Sequence, residues 1–234
     1  MLPGKEIDTF RIAQSMTELW LPLTDEQRQL LVDNISVRRY QKNEIIYHEN
    51  DEPEYLFCLL KGKVKIYKEG VGGRQQIVRM ARLKGFFGYR AGFAGGRYIT
   101  EASAFESTTL CLIPLPVLKH IIRENQLVAI YFLKQLANLL GNADEHTVNL
   151  TQKHLRGRLA EALLQLKESY GTEDNERTLA ISLSREDLAN LSNMTTSNAI
   201  RTLSGFAGDG LISIDGRKIS ILDEQQLRKI SKMG

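Results

Sequence analysis

The chain has 234 residues, of which 42% are hydrophobic and 25% are charged, and its formal net charge is +3. This is ordinary globular composition, and the length fits two modest domains better than one. The first residues carry charges throughout instead of an apolar signal core, and the longest apolar runs are far too short to cross a bilayer. We therefore expect a cytoplasmic protein with no secretory leader and no membrane partner.

The chain contains two cysteines, Cys58 and Cys111, and each lies inside an apolar run. Neither has further metal ligands at close spacing, and free cysteines are commonly buried in protein interiors. We predict that both are structural residues of the core, and we predict no metal site.

The N-terminal half changes its periodicity once. Residues from about 5 to 35 are predicted to form short amphipathic helices, with Thr24 as the N-cap of one of them. From Ser36 to about Pro114 the pattern has a period of two, in short β-branched and aromatic segments, which predicts a sandwich or barrel of strands. Residues that tolerate a left-handed backbone occupy three of the predicted turns: Asn43, Asn50 and Gly62.

Helical periodicity returns after Pro116 and continues over a long stretch. Residues at alternating spacings of three and four form a heptad pattern: Leu133, Leu136, Leu140, Ala143, Thr147, Leu150 and His154. A helix of this length needs a partner to cover such a stripe, which favours pairing with a second copy of the chain. The alternative is a long helix that packs only on its own domain.

The segment Leu183–Leu222 has the pattern of two short helices followed by a β-hairpin. Ser184 is expected to cap the first helix, Asn193 to occupy the turn, and Thr195 to cap the second helix. The second helix is expected to bury Ala199, Ile200 and Leu203. The hairpin that follows is expected to reverse in a type I′ turn at Asp215–Gly216.

Polar and basic side chains mark the exposed side of this segment as a DNA-binding surface. The outward face of a recognition helix contacts base edges, here from Thr196, Ser197, Asn198 and Arg201. An arginine such as Arg201 can bond bidentately to a guanine edge. Phosphate contacts are expected from Ser184, Arg185, Thr195, Asn198, Arg217 and Lys218.

These features together resemble the CRP/FNR superfamily of transcription regulators. The resemblance is carried by KGKVKIYKEG, FGYRAGFAG, the heptad helix, HLRGRLAEALLQL and the helix-turn-helix with its wing. It implies an α+β chain: a double-stranded, jelly-roll-like β-roll sensor domain over 1–125, a dimerisation helix over 126–155 and a winged helix-turn-helix DNA-binding domain over 156–234. It also implies a homodimer, a pseudo-palindromic double-stranded DNA site and RNA polymerase as partners.

The sensor domain departs from the pattern of the cyclic-nucleotide-binding members. In those members a Gly-Glu pair binds the ribose, and a later Arg-Ser or Arg-Thr pair binds the cyclic phosphate. Here Tyr89 and Arg90 follow Gly88, and the later pair aligns with Thr100–Glu101, or with Tyr98–Ile99 if the gap differs. We therefore expect an effector other than cAMP, which would contact Phe87, Gly88, Tyr89, Arg90, Arg97, Thr100 and Glu101.

The residues of the chain also bear on other cofactors of the superfamily. The oxygen-sensing branch holds an iron–sulfur cluster on N-terminal cysteines, and this chain has none before Cys58, so we expect no cluster. A haem would need an axial ligand. His48, His120, His146 and His154 are candidates in principle, with Met80 as a soft partner, and no residue is preferred.

The recognition helix also departs from the family pattern, because Ser197 stands where many members carry a glutamate that reads cytosine. We expect a different half-site in which Arg201 still reads a guanine.

Two other functional classes are disfavoured. An enzyme is disfavoured because the chain has neither a His-x-His pair nor a G-x-S-x-G turn. A sensor or adaptor that has lost DNA binding is disfavoured by the polar face around Ser197.

Overall fold

The computed structural model describes residues 8–234, which contain ten α-helices and ten β-strands. The predicted helical stretch starts at residue 5, and residues 5–7 lie outside the described part. The helices are α1 (Thr9–Ser15), α2 (Thr17–Trp20), α3 (Asp25–Asn34), α4 (Tyr89–Ala94), α5 (Leu115–Glu124), α6 (Gln126–Gln152), α7 (Leu155–Tyr170), α8 (Arg185–Leu191), α9 (Thr196–Gly208) and α10 (Glu224–Met233). The strands are β1 (Ser36–Tyr40), β2 (Ile45–Tyr47), β3 (Tyr55–Lys61), β4 (Val64–Glu69), β5 (Gln75–Met80), β6 (Phe86–Phe87), β7 (Glu101–Ala104), β8 (Thr108–Pro114), β9 (Ile212–Asp215) and β10 (Lys218–Ile221).

The chain divides into two compact units. The first contains the residues up to Lys68 together with Arg79–Leu140, and the second contains Glu69–Val78 together with Gly141–Gly234. The long helix α6 contributes residues to both. No helix within residues 8–234 has the length and apolar character that a membrane span requires.

Three short helices precede the first strand, as the sequence predicts. Thr24 caps α3 in a reciprocal arrangement, because its Oγ1 accepts the Gln27 amide at 3.3 Å while Gln27 Oε1 accepts the Thr24 amide at 3.2 Å. Trp20 and Leu31 are buried in an apolar cluster that also holds Leu118 and Phe132. The N-terminal helices therefore share one core with α5 and the start of α6.

The strands form two four-stranded antiparallel sheets with the orders β1–β8–β3–β6 and β2–β7–β4–β5. The three predicted left-handed turn positions are confirmed, with φ of 66° at Asn43, 70° at Asn50 and 90° at Gly62. Alternate residues of both sheets face an interior that is rich in aromatic rings. The predicted roll of short strands is therefore confirmed.

The two cysteines lie directly opposite each other on the paired strands β3 and β8. Both are free and fully buried. Burial raises the pKa of each thiol to about 12, so both stay protonated. Cys58 and Cys111 are thus core residues, in line with the prediction.

Asn125 links α5 to α6. Its Oδ1 accepts the amides of Leu127 and Val128 at 3.1 and 3.2 Å, which satisfies two donors at the start of α6. Its Nδ2 donates to Pro22 O at 2.7 Å and to Gln27 Oε1 at 2.8 Å. One amide side chain therefore begins the long helix and fixes it to the N-terminal helices.

The stripe of exposed apolar residues on α6 differs in part from the predicted heptad set. Leu133 and Leu140 are each 66% exposed, as a partner-facing position requires, but Leu136 packs against the core of the first unit. Ile130, which the heptad pattern omitted, is 47% exposed. Ile130, Leu133 and Leu140 therefore form an exposed apolar stripe, with Leu127, 64% exposed, one turn before Ile130. Leu136 differs from the prediction because it is partly buried against the core.

The second unit holds α7 to α10 and the hairpin of β9 and β10. The two strands pair antiparallel, with Asp215 opposite Lys218. The loop is therefore Gly216–Arg217, and of these two only Gly216 has a positive φ, 57°. A type I′ turn needs positive φ at both central residues, so the predicted type I′ turn at Asp215–Gly216 is wrong.

Candidate nucleic-acid interface

The helix-turn-helix is built from two capped helices. Ser184 Oγ accepts the amide of Asp187 at 3.0 Å at the start of α8, and Thr195 Oγ1 accepts the amide of Asn198 at 3.3 Å at the start of α9. Asn193 lies between them with a φ of 49°. The predicted caps and the predicted turn residue are all confirmed. They fix where α9 begins and therefore which side chains its first turn exposes.

The exposed face of α9 is polar at its N-terminal end. Thr195, Thr196 and Ser197 are exposed and Asn198 is half-buried, while Ala199 and Leu203 are buried against the rest of the unit. Short hydroxyl and amide side chains are suited to base edges and phosphates. The face therefore presents the groups that the sequence predicted.

Ile200 is an exception to the predicted inward set, since it is 47% exposed. It lies on the same side of α9 as Thr196, Arg201 and Ser204, which are also exposed. The spacing of four between Thr196, Ile200 and Ser204 is the signal that could have identified this face. Ile200 and Ser204 are thus residues of the candidate surface that sequence reasoning missed.

Arg201 is exposed, and its Nη2 donates a hydrogen bond to Asn198 Oδ1 at 3.2 Å. The two residues lie one turn apart on the same helix, so the amide holds the guanidinium over the first turn of α9. This arrangement preorganises a forked donor beside the polar end of the helix.

Arg185 connects α8 to the tip of the wing. Its Nη2 donates to the carbonyl of Gly216 at 2.8 Å, while its Nη1 is buried without a hydrogen-bond partner among the described residues. A guanidinium so placed holds the β9–β10 turn against the start of α8. Its contact with the turn gives Arg185 a positioning role within the unit in addition to the predicted phosphate contact.

The wing carries one unpaired and one paired basic residue. Arg217 is exposed and has no ion pair within residues 8–234. Lys218 Nζ lies 2.8 Å from Glu173 Oε1, and this carboxylate raises the pKa of the ammonium group. Arg217 therefore contributes more of its charge to an approaching anion than Lys218 does.

The residues of the expected effector pocket are divided between several environments. Phe87 stacks on Phe57 with ring centroids 5.2 Å apart. Gly88 has a φ of 85°, and a Cβ at this position would lie 2.6 Å from Cδ2 of Phe57. Tyr89 is buried, and its ring lies 5.2 Å from that of Phe132. The backbone here follows the aromatic packing of the roll, and Tyr89 directly follows Gly88.

The later residues of that pocket have partners of their own. Arg97 donates to Asn50 O at 2.8 Å and to Glu52 Oε1 at 2.7 Å. Glu101 accepts the hydroxyl of Tyr67 at 2.9 Å. Thr100 lies beside Tyr47, whose ring stacks on that of Tyr98 at 3.8 Å. The structure therefore groups Phe87, Gly88 and Tyr89 around the aromatic core but directs Arg97 and Glu101 to separate contacts.

Arg79 on β5 is a further half-buried residue that sequence reasoning did not single out. Burial lowers the pKa of its guanidinium, and Tyr47, Tyr89 and Arg90 are its titratable neighbours.

Among the described residues, no group of three or more His, Cys, Asp or Glu side chains could hold a metal ion.

Two family models match the chain. Residues 37–125 match the model of the cyclic nucleotide-binding domain, and residues 157–230 match that of the Crp-like helix-turn-helix domain. Regulatory protein HlyX of Actinobacillus pleuropneumoniae is 25% identical over 211 residues, covering 88% of both chains. The CRP-like cAMP-activated global transcriptional regulator of Mycobacterium tuberculosis is 22% identical over 81% of this chain and 85% of its own length. The solved structure of FixK2 from Bradyrhizobium japonicum superposes with a TM-score of 0.77 at 25% identity, covering 84% of this chain and 96% of that one.

Proposed function

Because the chain belongs to the CRP/FNR family of DNA-binding transcription regulators, we propose that it binds a pseudo-palindromic DNA site as a homodimer, with α9 in the major groove. The observation that carries this proposal is the N-terminal end of α9, which is capped, polar and exposed. It includes the hydrogen-bonded pair of Asn198 and Arg201. Members of this family are regulators and not enzymes.

Sequence readout is assigned to the exposed face of α9. Arg201 would donate to a guanine edge, and Ile200 offers an apolar surface for a thymine methyl group. Ser197 is too short to reproduce the cytosine contact of a glutamate, so the half-site differs at that position. Phosphate contacts are assigned to Ser184, Arg185, Thr195, Asn198, Arg217 and Lys218, as expected from the sequence.

The homodimer is proposed to form along α6. Ile130, Leu133 and Leu140 leave an apolar stripe exposed on this helix, and two copies of the stripe would cover each other in a symmetric interface. Two recognition helices related by this symmetry read half-sites about one DNA turn, roughly 34 Å, apart. RNA polymerase is the further partner that a transcription regulator implies.

The residues of the roll disfavour a cyclic nucleotide as the effector. Tyr89, which follows Gly88 where the cyclic-nucleotide-binding members carry the ribose-binding glutamate, is buried. The later pair aligns with Thr100–Glu101 or with Tyr98–Ile99, and neither pair supplies a cation for a cyclic phosphate. Stacked rings of Tyr47, Tyr98 and Phe57 fill the interior beside them. We therefore propose an effector other than cAMP, which acts on the roll through the segment Phe87–Glu101.

The cysteines also disfavour an iron–sulfur cluster. Such clusters are held by about four ligands, usually thiolates, whereas this chain has two cysteines. Both are buried and carry a pKa of about 12. No histidine is singled out as an axial ligand for haem.

The experiment is a selection of binding sites from a random duplex pool with the purified, ligand-free chain at a fixed salt concentration. We expect enrichment of a two-fold symmetric site with a guanine in each half-site. The same selection with an Arg201→Ala, Ser197→Ala double variant is the control for readout by α9. If the wild type enriches no site, even after the small-molecule fraction of a cell extract is added, the chain is a sensor or adaptor that does not bind DNA.

A further inference from the structure

Arg79 lies on the inward-facing side of β5, an outer strand of the roll. This strand is at the edge of the sheet β2–β7–β4–β5. Side chains of a strand alternate between its two faces, and in β5 Ile77 is fully buried whereas Val78 is 44% exposed. Arg79 comes two residues after Ile77 and therefore shares its buried face. A guanidinium on this face is partly withdrawn from water, which is costly for a charge without a partner.

The side chain of Arg79 has no compensating anion. It forms no ion pair and no hydrogen bond within residues 8–234. Its titratable neighbours are Tyr47, Tyr89 and Arg90, and none of the three carries a negative charge at neutral pH. Burial lowers the pKa of the guanidinium, and the positive charge of Arg90 lowers it further. Arg79 is thus a cation whose charge the surrounding residues leave unbalanced.

Arg90 brings a second guanidinium to the same place. It lies in the first turn of α4 and is exposed. Like Arg79, it has no ion pair in the part of the chain that the structure describes. Two cations that are close together repel each other, and an anion between them converts this repulsion into two attractions. Because Arg90 is exposed, an anion can reach the pair from solvent.

Two hydroxyl groups lie beside the arginines. Tyr47 has both Arg79 and Arg90 as charged neighbours, and Thr100 lies next to its hydroxyl. Burial raises the pKa of Tyr47, so the phenol is protonated at neutral pH and can donate a hydrogen bond. Guanidinium N–H and hydroxyl O–H groups are donors that carboxylate and phosphate oxygens accept. The four side chains therefore form one set of donors.

The acidic residue of this segment makes its contacts elsewhere. Glu101 follows Thr100, but it accepts the hydroxyl of Tyr67 at 2.9 Å, and its Oε2 lies 3.8 Å from Nδ1 of His48. It is not among the charged neighbours of Arg79. The donors around Arg79 are therefore left for an external anion.

We propose that Arg79 and Arg90 together bind a small oxyanion, a carboxylate or a phosphate, with the hydroxyls of Tyr47 and Thr100 as further donors. Such an anion would be the effector of the proposed function, on which this assignment rests. Arg79 lies outside both residue pairs that bind ribose and cyclic phosphate in the cyclic-nucleotide-binding members. The anion would therefore be held from a different strand.

The test is isothermal titration calorimetry of the full chain at low ionic strength, in a buffer free of phosphate and carboxylates. The probes are malonate, inorganic phosphate and malonamide, which is the neutral counterpart of malonate. We expect at least one anion to bind at one site per chain with a dissociation constant below about 1 mM, and malonamide not to bind. The tighter of the two anions identifies the source of the oxygens. Dissociation constants above about 1 mM for both anions overturn the proposal, as does equal affinity for malonate and malonamide.

Variants connect the binding to the two arginines. Arg90→Gln changes an exposed position and is expected to weaken anion binding about tenfold. Arg79→Met removes the inner guanidinium and is expected to abolish binding. Arg82→Met, at an exposed position after β5, removes the same charge from the same segment and should change the affinity by less than about twofold. If Arg90→Gln binds like the wild type while circular dichroism shows both folded, the assignment is wrong.

Thermal unfolding gives a second readout that does not depend on the heat of binding. Because Arg79 has no partner, Arg79→Met should unfold at a midpoint no lower than that of the ligand-free wild type. The tighter anion should raise the midpoint of the wild type and not that of the variant. A lower midpoint for Arg79→Met would show that the fold itself compensates the guanidinium, and it would overturn the proposal. DNA takes no part in either measurement, so the selection of DNA sites remains a separate test of the proposed function.

Discussion

At the scale of single residues, two arginines of the second unit are expected to act on DNA in different ways. Arg201 lies on the recognition face beside Asn198, whereas Arg217 lies at the tip of the wing. Arg201→Ala should cost about 1–3 kcal/mol of binding free energy and relax the preference at one base pair of each half-site. Arg217→Ala should weaken binding to all DNA sequences alike. It should also reduce the slope of the logarithm of the binding constant against the logarithm of the salt concentration by about 1, because one phosphate is no longer neutralised.

Fluorescence anisotropy with the selected site and its single-base variants, at several salt concentrations, separates these two effects. Lys229→Ala, at an exposed position on α10, removes the same positive charge and is the control for a general change of surface charge. A uniform loss of affinity from Arg201→Ala, without any change of base preference, would show that Arg201 contacts phosphate and does not read bases.

His146 on α6 provides a pH-dependent contribution to stability. It is half-buried, its Nε2 has no hydrogen-bond partner in the described part of the chain, and burial lowers its pKa. The folded-state pKa therefore lies below the unfolded value of about 6.5. Stability should be unaffected above that pH and should fall as the pH drops below it, because the unfolded chain then binds a proton that the folded chain excludes.

The measurement is the thermal unfolding midpoint at several pH values between neutral and mildly acidic conditions. His146→Gln should reduce the fall in the midpoint on acidification. His120→Gln, an exposed histidine near Glu124, should leave the wild-type dependence in place. An identical dependence in wild type and His146→Gln would assign the effect to other groups.

At the scale of elements, Asn125 joins two helices through both ends of its amide. Asn125→Ala removes the cap of α6, which is worth about 1 kcal/mol, and also removes the donor to Pro22 O and Gln27 Oε1. We expect a total loss of about 2 kcal/mol of unfolding free energy. Asn125→Asp keeps the cap acceptor and loses only the donors, so it should fall between the alanine variant and the wild type.

Urea unfolding followed by the emission of Trp20, the single tryptophan and a residue of the first unit, reports this loss. Asn34→Ala is a matched control, because its side chain makes one exposed hydrogen bond to Leu30 O on its own helix. A loss for Asn125→Asp as large as for Asn125→Ala would mean that the donors, and not the cap, carry the contribution of Asn125.

Some elements could be predicted from the sequence because local chemistry determines them. Asn43, Asn50 and Asn193 adopt the left-handed backbone that their side chains tolerate, and the caps at Thr24 and Thr195 follow from the same short-range interactions. The period-two pattern of the strand segments was sufficient to predict the roll of short strands. The DNA-contact and effector residues stay predictions, because their roles depend on a bound partner and not on the short-range interactions that determine caps and turns.

Other features depend on how elements pack, which periodicity alone does not determine. Leu136 fits the heptad pattern as well as Leu133 does, but its side chain packs against the core of the first unit. Ile200 is apolar and was expected inside, yet the orientation of α9 that buries Leu203 and Phe206 exposes it. The wing turn depends on strand register, and the pairing of Asp215 with Lys218 moves it by one residue.

At the scale of the whole molecule, the apolar stripe of α6 is expected to determine the oligomeric state. Burying a leucine contributes about 1.5–3 kcal/mol, and a symmetric dimer buries each position twice. Leu133→Lys or Leu140→Lys should therefore weaken the dimer at least about 100-fold. Cooperative binding to a two-fold site should be lost with it.

Light scattering after size-exclusion chromatography measures this change. Leu83→Lys is the matched control, because Leu83 is 59% exposed but lies in the turn after β5 and not on α6. Dimers of unchanged stability in both α6 variants would show that another surface joins the two copies.

The opposed thiols of Cys58 and Cys111 make opening of the sensor domain measurable without any label. In the closed roll both are protonated and sealed from solvent, so a small alkylating reagent reacts only with molecules in which β3 and β8 have separated. In the limit of fast reclosing, the alkylation rate is the intrinsic thiol rate multiplied by the opening equilibrium constant. Both cysteines should then be modified together, at a rate that falls in proportion to the occupancy of any ligand that binds only the closed domain.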